Sequence, residues 1–266
     1  MEKYNVKFKK KFGQNFLKDN SVVKRIVDSA DIRPRSLVLE VGPGGAIMTR
    51  ELARNADNVL AYEIDSSLES EINKRLASVE NVKVVYKDFL QADIMNDVSS
   101  YDYDNLYFIS NVPYYITTPI ILKLIDSGLK FKKIVMMVQK EVGDRFSSKC
   151  GNKEYGSISV ILQYFFDVNL EFFVSRNEFV PVPNVDSVII SFTEKKDRLV
   201  VKDFSFFQNL VKDSFRFKRK TIKNNLGKYD LKIIESVLSE HNLSLKSRAE
   251  ELDLSVFVDL ANRLID

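Results

Sequence analysis

The residues best suited to chemistry form a short polar turn, Asn111-Val112-Pro113-Tyr114, which follows the apolar run Leu106–Ser110. The amide oxygen of Asn111 and a backbone carbonyl beside Pro113 can each accept one hydrogen of an exocyclic amine on a nucleobase. Such an amine is a poor nucleophile because its lone pair is conjugated with the ring, and holding both hydrogens favours a pyramidal nitrogen whose lone pair can attack. Tyr114 can stack on the base, while Pro113 fixes the backbone and removes a competing donor. The turn therefore predicts a catalytic site, made by Asn111, Pro113 and Tyr114, that acts on a base amino group.

The elements that must position this turn are six short apolar runs, each typical of a β-strand. The runs are Ser36–Val41, Asn58–Glu63, Val82–Tyr86, Leu106–Ser110, Ile134–Val138 and Ser187–Phe192. Helical patterns lie between the first five, which predicts a mostly parallel sheet with helices on both faces. Ligands of such sheets bind beyond the carboxyl ends of the strands. A plain Asn-x-Pro-Tyr loop is common elsewhere, but its position after the fourth strand of this sheet favours function.

Glycines and acidic residues follow the first three of these strands. The turn Gly42-Pro43-Gly44-Gly45 permits close backbone approach to a ligand, but Ile47 replaces the third glycine of the dinucleotide fingerprint. Glu63 stands where a carboxylate can accept hydrogen bonds from two ribose hydroxyls. Asp88 can receive an adenine amino group, and Phe89 can cover the adenine face. Together they predict an adenosine-containing cofactor, although a solvated acid at a strand end would give the same pattern at Glu63 alone.

Charge is distributed unevenly along the chain. The formal net charge is +3, yet residues 1–25 hold eight Lys/Arg against two acidic residues, and residues 202–228 hold the same numbers. The rest of the chain is therefore acidic, and two basic segments suggest a polyanionic partner. Ordinary solvated lysines would produce a single segment of this kind, so charge alone does not decide.

Several classes of protein are disfavoured by composition. Cys150 is the only cysteine, so neither an intrachain disulfide nor a cysteine metal cluster can form, and we expect no metal site. We find no apolar run of membrane-spanning length and no hydrophobic stretch of a signal peptide at the basic N-terminus. These features predict a cytoplasmic protein without a membrane partner. We assign no role to His241, the only histidine.

The motifs in combination resemble the ribosomal RNA adenine dimethyltransferase family, and the resemblance covers essentially the whole chain. The matching segments are Gly13–Leu17, Glu40–Gly44, Glu63, Asp88, Asn111–Tyr114, Gln139–Val142, Tyr155–Ser159, Phe179–Ser187, Phe217–Leu226 and Arg248–Glu250. The resemblance is strongest to bacterial enzymes that dimethylate two adjacent adenosines near the 3′ end of small-subunit ribosomal RNA. Val112 and Phe89 depart mildly from the family pattern, and neither departure removes a proposed contact.

This resemblance implies a fold, a domain organisation and an activity. The fold would be a Rossmann-like class I methyltransferase, an α/β domain with a seven-stranded, mostly parallel sheet at residues 1–197. A small all-α domain at 198–266 would bind RNA or the ribosome. The activity would be transfer of methyl groups from S-adenosyl-L-methionine to N6 of adenosine, by a monomer acting on small-subunit rRNA within a 30S particle or its precursor.

The resemblance also implies roles for individual residues. Asn15 and Leu17 would contact the methionine end of the cofactor, together with Gly42. Asn111 would touch both cofactor and target base, and Phe179 would stack on the base opposite Tyr114. The family match extends to the second basic segment, where a phosphate-contacting surface competes with the simpler interpretation of a solvated helix face. Its cations are Arg216, Lys218, Arg219, Lys220 and Lys223.

Four alternatives remain open from the sequence. A related enzyme methylates an adenosine of large-subunit (23S) rRNA, and Gly13 with the Arg248–Glu250 segment argues against it. A DNA adenine methyltransferase shares the Asn-x-Pro-Tyr logic but usually carries a separate target-recognition region. A non-catalytic ribosome assembly factor of the same fold is disfavoured by Asn111, Tyr114 and Glu63. A nicotinamide dehydrogenase is disfavoured by Ile47.

Overall fold

A mixed sheet of seven strands organises the structure, a computed structural model that describes residues 16–265. Numbered along the chain, the strands are β1 Phe16–Leu17, β2 Ser36–Val41, β3 Asn58–Glu63, β4 Val82–Tyr86, β5 Asn105–Asn111, β6 Lys133–Gln139, β7 Phe166–Val174, β8 Phe179–Val180 and β9 Ser187–Glu194. The large sheet has the order β4-β3-β2-β5-β6-β9-β7, and β1 pairs separately with β8. All pairs from β4 across to β6 are parallel, whereas β6 and β9 are antiparallel. The predicted fold class, a Rossmann-like α/β architecture with a mostly parallel sheet, is confirmed.

Eleven helices accompany the strands in the part of the chain that is described. They are α1 Asn20–Ser29, α2 Ile47–Asn55, α3 Glu69–Leu76, α4 Ile94–Val98, α5 Thr117–Asp126, α6 Lys140–Ser147, α7 Ser157–Phe165, α8 Phe204–Ser214, α9 Ile222–Asn225, α10 Leu231–Glu240 and α11 Leu254–Leu264. In α1, the carboxylate of Asp19 accepts a hydrogen bond from the Ser21 backbone N–H and caps the helix. Apolar side chains spaced by three or four residues then bury one face of it. Among residues 16–265, no helix is long and apolar enough to cross a membrane.

The strand order reverses direction between β2 and β5. From β2 the chain proceeds outward through β3 to β4 and then returns to β5 on the opposite side of β2. The helices that follow such strands leave in opposite directions at this switch point, so a crevice opens beyond the carboxyl ends of β2 and β5. The turn at Gly42 and the turn that starts at Asn111 follow these two strands, and the topology therefore brings them together.

Burial explains which strands the sequence predicted and which it did not. All six residues of β2 are buried, as are the central residues of β5 and β6, so these strands form continuous apolar runs. The seventh strand, β7, was not among the six predicted runs. Most of its residues are exposed or half-buried, and it lies at the edge of the sheet, where charged residues are tolerated.

The chain divides into two compact units. One unit holds the residues up to Gly143 together with Asn169–Glu194, and the other holds Asp144–Val168 together with the residues from Lys195 onward. The second unit is mostly helical, and several of its aromatic rings pack against one another, with the half-buried Tyr164 stacked on Phe204 at a centroid distance of 5.5 Å. We predicted one boundary after residue 197. The division falls near that position, but it also places 144–168 with the C-terminal helices, an arrangement that no single cut in the sequence describes.

Candidate active site

A cleft opens beyond the carboxyl ends of the central strands, within the first unit. Residues 40–45, 62–64, 87–90 and 111–116 contribute most of its lining. These segments follow β2, β3, β4 and β5, as expected for a parallel sheet of this order. The structure thus brings Gly42, Glu63, Asp88, Phe89 and Asn111 to one site.

The glycine turn after β2 has a backbone that ordinary residues rarely adopt. Gly42 has φ +74° and Gly44 has φ +50°, both in the left-handed region that favours glycine. The Gly42 N–H donates to the Tyr62 carbonyl at 2.8 Å, which ties the turn to the end of β3. A Cβ at Gly42 would lie 3.8 Å from Cδ of Pro113. The glycine turn and the Asn111–Tyr114 turn are therefore adjacent walls of the cleft.

Glu63, at the end of β3, is held in a defined orientation. Its carboxylate accepts hydrogen bonds from the backbone N–H groups of Gly44 at 3.1 Å and Asp65 at 2.9 Å. Only 4% of the residue is exposed, so it is not the solvated strand-end acid that the sequence left open. Burial raises the pKa of Glu63 above its ordinary value, and the two backbone hydrogen bonds oppose that effect.

A second carboxyl group, Glu40, lies in the cleft wall, and the sequence alone indicated no role for it. Glu40 is 1% exposed, and its Oε2 atom has no hydrogen-bond partner among residues 16–265. Burial raises the pKa of Glu40 to about 8; the Thr49 hydroxyl opposes this shift, and the charge of Glu63 adds to it. A charged residue inside the otherwise apolar run Ser36–Val41 was the signal in the sequence. An orphaned buried oxygen beside a ligand cleft is suited to receive a donor group from the ligand.

Asp88 and Phe89 form the wall that follows β4. One oxygen of Asp88 accepts from the Leu90 backbone N–H at 2.9 Å and caps a short 3-10 turn. Phe89 is 3% exposed and packs edge-on against Tyr62 at a centroid distance of 5.2 Å. This wall offers a carboxylate beside an apolar surface, the combination that we predicted for an adenine ring.

Ser110, at the end of β5, connects the two central turns, and the sequence gave no sign of this role. Its hydroxyl donates to the Val41 carbonyl at 2.7 Å and accepts from the Val41 N–H at 3.3 Å. This contact extends the link between β2 and β5 beyond the last backbone pair, Leu39 with Phe108. It fixes the position of Asn111 relative to the glycine turn.

Tyr114 begins a 3-10 turn and has its hydroxyl anchored. The hydroxyl lies 2.7 Å from Oγ of Ser187, the first residue of β9, which is fully buried. Burial raises the pKa of Tyr114, so the phenol is neutral at physiological pH. The hydrogen bond restricts rotation of the ring, and Ser187 is a second functional contact that the sequence did not reveal.

Phe179 is placed differently from the other predicted site residues. Its side chain is fully buried in the hydrophobic core, and it is not among the residues that line the cleft. Its Cα pairs with that of Leu17 in the β1–β8 ladder, and Leu17 does line the cleft. In this structure Phe179 pairs with Leu17 in the strand ladder and has no exposed ring face to offer a base. Asn15 lies outside the described residues.

The five predicted RNA-binding cations belong to the second unit. Each of them is exposed, and they lie in or beside the turn between α8 and α9. Their role as a phosphate-contacting surface stays a prediction.

The residues present fit an adenosine-containing cation. The glycine turn has no side chains to obstruct a ligand, Glu40 supplies an orphaned oxygen, and Glu63 and Asp88 supply carboxylates. Phe89 and Val112 provide buried apolar surface between them. A ligand held there would present its reactive end to Asn111 and Tyr114.

Known sequences match this chain over nearly its whole length. The family described as ribosomal RNA adenine dimethylase matches residues 5–266. The ribosomal RNA small subunit methyltransferase A of Bacillus mycoides (strain KBAB4) is 42% identical over 275 residues, covering 100% of this chain and 94% of the relative. The protein of the same name from Bacillus licheniformis is 41% identical over 273 residues, covering 99% and 94%.

Solved structures show the same fold. The dimethyladenosine transferase from Plasmodium falciparum superimposes with a TM-score of 0.75 at 26% identity, covering 92% of this chain and 95% of that one. The 23S rRNA methyltransferase ErmE superimposes with a TM-score of 0.73, also at 26% identity, covering 94% and 100%.

Proposed function

This chain belongs to the ribosomal RNA adenine dimethylase family, and on that basis we propose that it methylates N6 of two adjacent adenosines near the 3′ end of small-subunit (16S) rRNA. The products are N6,N6-dimethyladenosines in a loop, and the modification contributes to small-subunit biogenesis. The methyl donor is S-adenosylmethionine. The relatives that match at 41–42% identity over almost the whole chain are named as small-subunit enzymes, which favours the small subunit.

The observation that carries the proposal is the close approach of two turns at the switch point. A Cβ atom added to Gly42 would lie less than 4 Å from the Pro113 ring. A cofactor over the glycine turn and a base over Asn111 would therefore meet in one cleft. Such placement of reactants supplies much of the acceleration of a direct displacement.

Residues of this chain perform the positioning. When bound, S-adenosylmethionine supplies a methyl group activated by its sulfonium centre. Asn111 and a carbonyl beside Pro113 hold the two hydrogens of the adenine amine, which directs its lone pair into the cleft. Tyr114, oriented by Ser187, holds the plane of the base. The target base must be unstacked, because N6 is not reachable inside a helix. The proton passes from the methylated, positively charged amine to water, and among residues 16–265 no His or Cys lines the cleft.

The proposal extends to the substrate particle. We expect a monomer that acts in the cytoplasm on a 30S particle or its precursor. The helical unit with its exposed cations would hold the RNA while the first unit performs the transfer.

Mass spectrometry of small-subunit RNA after incubation with isotopically labelled S-adenosylmethionine tests the activity. We expect two neighbouring dimethylated adenosines, and incorporation only into large subunits would favour the 23S alternative.

Asn111→Ala should lower kcat by roughly 100-fold or more with RNA affinity nearly unchanged. The matched control is Asn73→Ala, an exposed residue of α3. Full activity of Asn111→Ala would refute the assignment, and failure to bind the cofactor in calorimetry would favour a non-catalytic assembly factor.

A further inference from the structure

An exposed aromatic ring stands among the cations of the second unit. We define the basic turn as residues 216–223; it holds the five predicted RNA-binding cations and Phe217. Phe217 is 53% exposed, and the guanidinium of Arg216 lies over its ring, 5.4 Å from the centroid. Its position inside a cationic segment suits a ligand with both a flat face and negative charge.

The basic turn is held in shape by one side chain. Oδ1 of Asn225 accepts from the Phe217 backbone N–H at 3.1 Å, and Nδ2 donates to the Ser214 carbonyl at 2.7 Å. The same Nδ2 is within 3.3 Å of the Phe217 carbonyl, and the Lys220 N–H donates to that carbonyl at 2.9 Å. Phe217 is therefore presented by an ordered backbone, which lowers the entropy lost when a ligand binds.

Most of the charge of the basic turn is not neutralised locally, although Arg216 acts on the nearby Asp213. Lys218, Arg219, Lys220 and Lys223 form no ion pair with any residue in the described range 16–265. By contrast, the nearby Lys228 pairs with Asp213 at 2.8 Å. The cations of the turn remain available for phosphates.

We propose that Phe217 is a stacking platform for one unpaired base of RNA, while the surrounding cations bind the phosphates on either side. This inference rests on the proposed function, since it takes RNA as the partner. Aromatic rings bind unpaired bases by stacking without sequence preference, whereas bases within a duplex cannot reach such a ring. The ligand is thus a single-stranded or bulged segment, separate from the target adenosine.

The chain contains no tryptophan, so one substitution supplies a direct probe. In Phe217→Trp the only indole would stand in the basic turn, and stacking of a base quenches its fluorescence. Phe173→Trp is the matched control, because Phe173 is 52% exposed but lies in β7. We expect a single-stranded oligoribonucleotide to quench Phe217→Trp and leave Phe173→Trp unchanged. A duplex RNA of equal length should quench neither variant.

A second variant separates stacking from charge. Phe217→Leu keeps an apolar side chain but removes the flat ring, and should weaken single-stranded RNA binding by about 5-fold to 150-fold in fluorescence anisotropy. The salt dependence should not change, because every cation is retained. The proposal is overturned if RNA binds but quenches Phe217→Trp no more than it quenches Phe173→Trp. It is also overturned if duplex RNA or polyglutamate quenches Phe217→Trp as strongly as single-stranded RNA does.

Methyl incorporation by the unmodified protein is measured in the same preparation. Normal methylation without quenching would refute only the role of Phe217. Quenching without methylation would refute the proposed function and leave the stacking site standing.

Discussion

Replacing Glu40 by glutamine should abolish a large pH dependence of stability. The carboxyl group lies in the fully buried strand β2 with one oxygen unpartnered in the described structure. Burial is the main cause that raises its pKa from 4.5 to about 8, and the Glu63 charge adds to it. The native state therefore holds the Glu40 proton more tightly than the unfolded chain does.

The sign and size follow from this difference. A raised native pKa contributes stability that is fully present below about pH 4.5 and is lost as pH rises through about 8. At about 1.4 kcal/mol per pKa unit, the loss is on the order of 5 kcal/mol across this range, with about 3 kcal/mol already lost at pH 7. Glutamine has nearly the same shape and no proton to lose. The free energy of unfolding of Glu40→Gln minus that of the unmodified protein should thus increase by about 1.4 kcal/mol for each unit that the pH is raised between 5 and 8.

Urea unfolding followed by circular dichroism at several pH values from 5 to 9 measures this difference. A difference in free energy of unfolding that is the same at every pH does not test the prediction, because the glutamine amide has hydrogen-bonding requirements of its own. The matched control is Glu80→Gln, which changes an exposed carboxylate of the same unit and should leave the pH dependence unaltered. Parallel curves for Glu40→Gln and the unmodified protein would refute the reasoning.

Three further predictions concern the cleft and the RNA surface. Ser187→Ala and Tyr114→Phe should each cost about 0.5–1.5 kcal/mol of stability and lower kcat with little change in the KM for the cofactor. Their double variant should be no worse than either one, and additive effects in urea unfolding and kinetics would contradict the shared hydrogen bond. Glu63→Gln and Asp88→Asn should each weaken cofactor binding about 10-fold or more in calorimetry, and unchanged affinity would place the cofactor elsewhere. Reversing the charges of the basic turn should weaken RNA binding and flatten its salt dependence by close to one unit of slope for each phosphate that the turn no longer binds, whereas an unchanged slope would identify those cations as a solvated surface.

The contrast between β2 and β7 shows how far local pattern predicts this fold. A strand in the middle of a parallel sheet is buried on both faces, so its sequence is an uninterrupted apolar run. Edge strand β7 is exposed over much of its length, and residues such as Asp167 and Glu171 interrupt its apolar pattern. No helix was predicted between 144 and 168, and the grouping of this segment with the C-terminal helices depends on packing between segments that are distant along the chain.

The sequence by itself determined the local parts of the site. Residue type and short spacing are enough to specify three features: the glycines that permit a positive φ, the acid at the end of β3 and the Asn-x-Pro-Tyr turn. Only the tertiary structure decided which distant groups meet. It joined Tyr114 to Ser187, 73 residues later, left Glu40 buried with an orphaned oxygen, and placed Phe179 in the same core cluster as Leu17. The physical reason is that spacing along the chain specifies backbone conformation, whereas burial and partnering depend on which surfaces pack together.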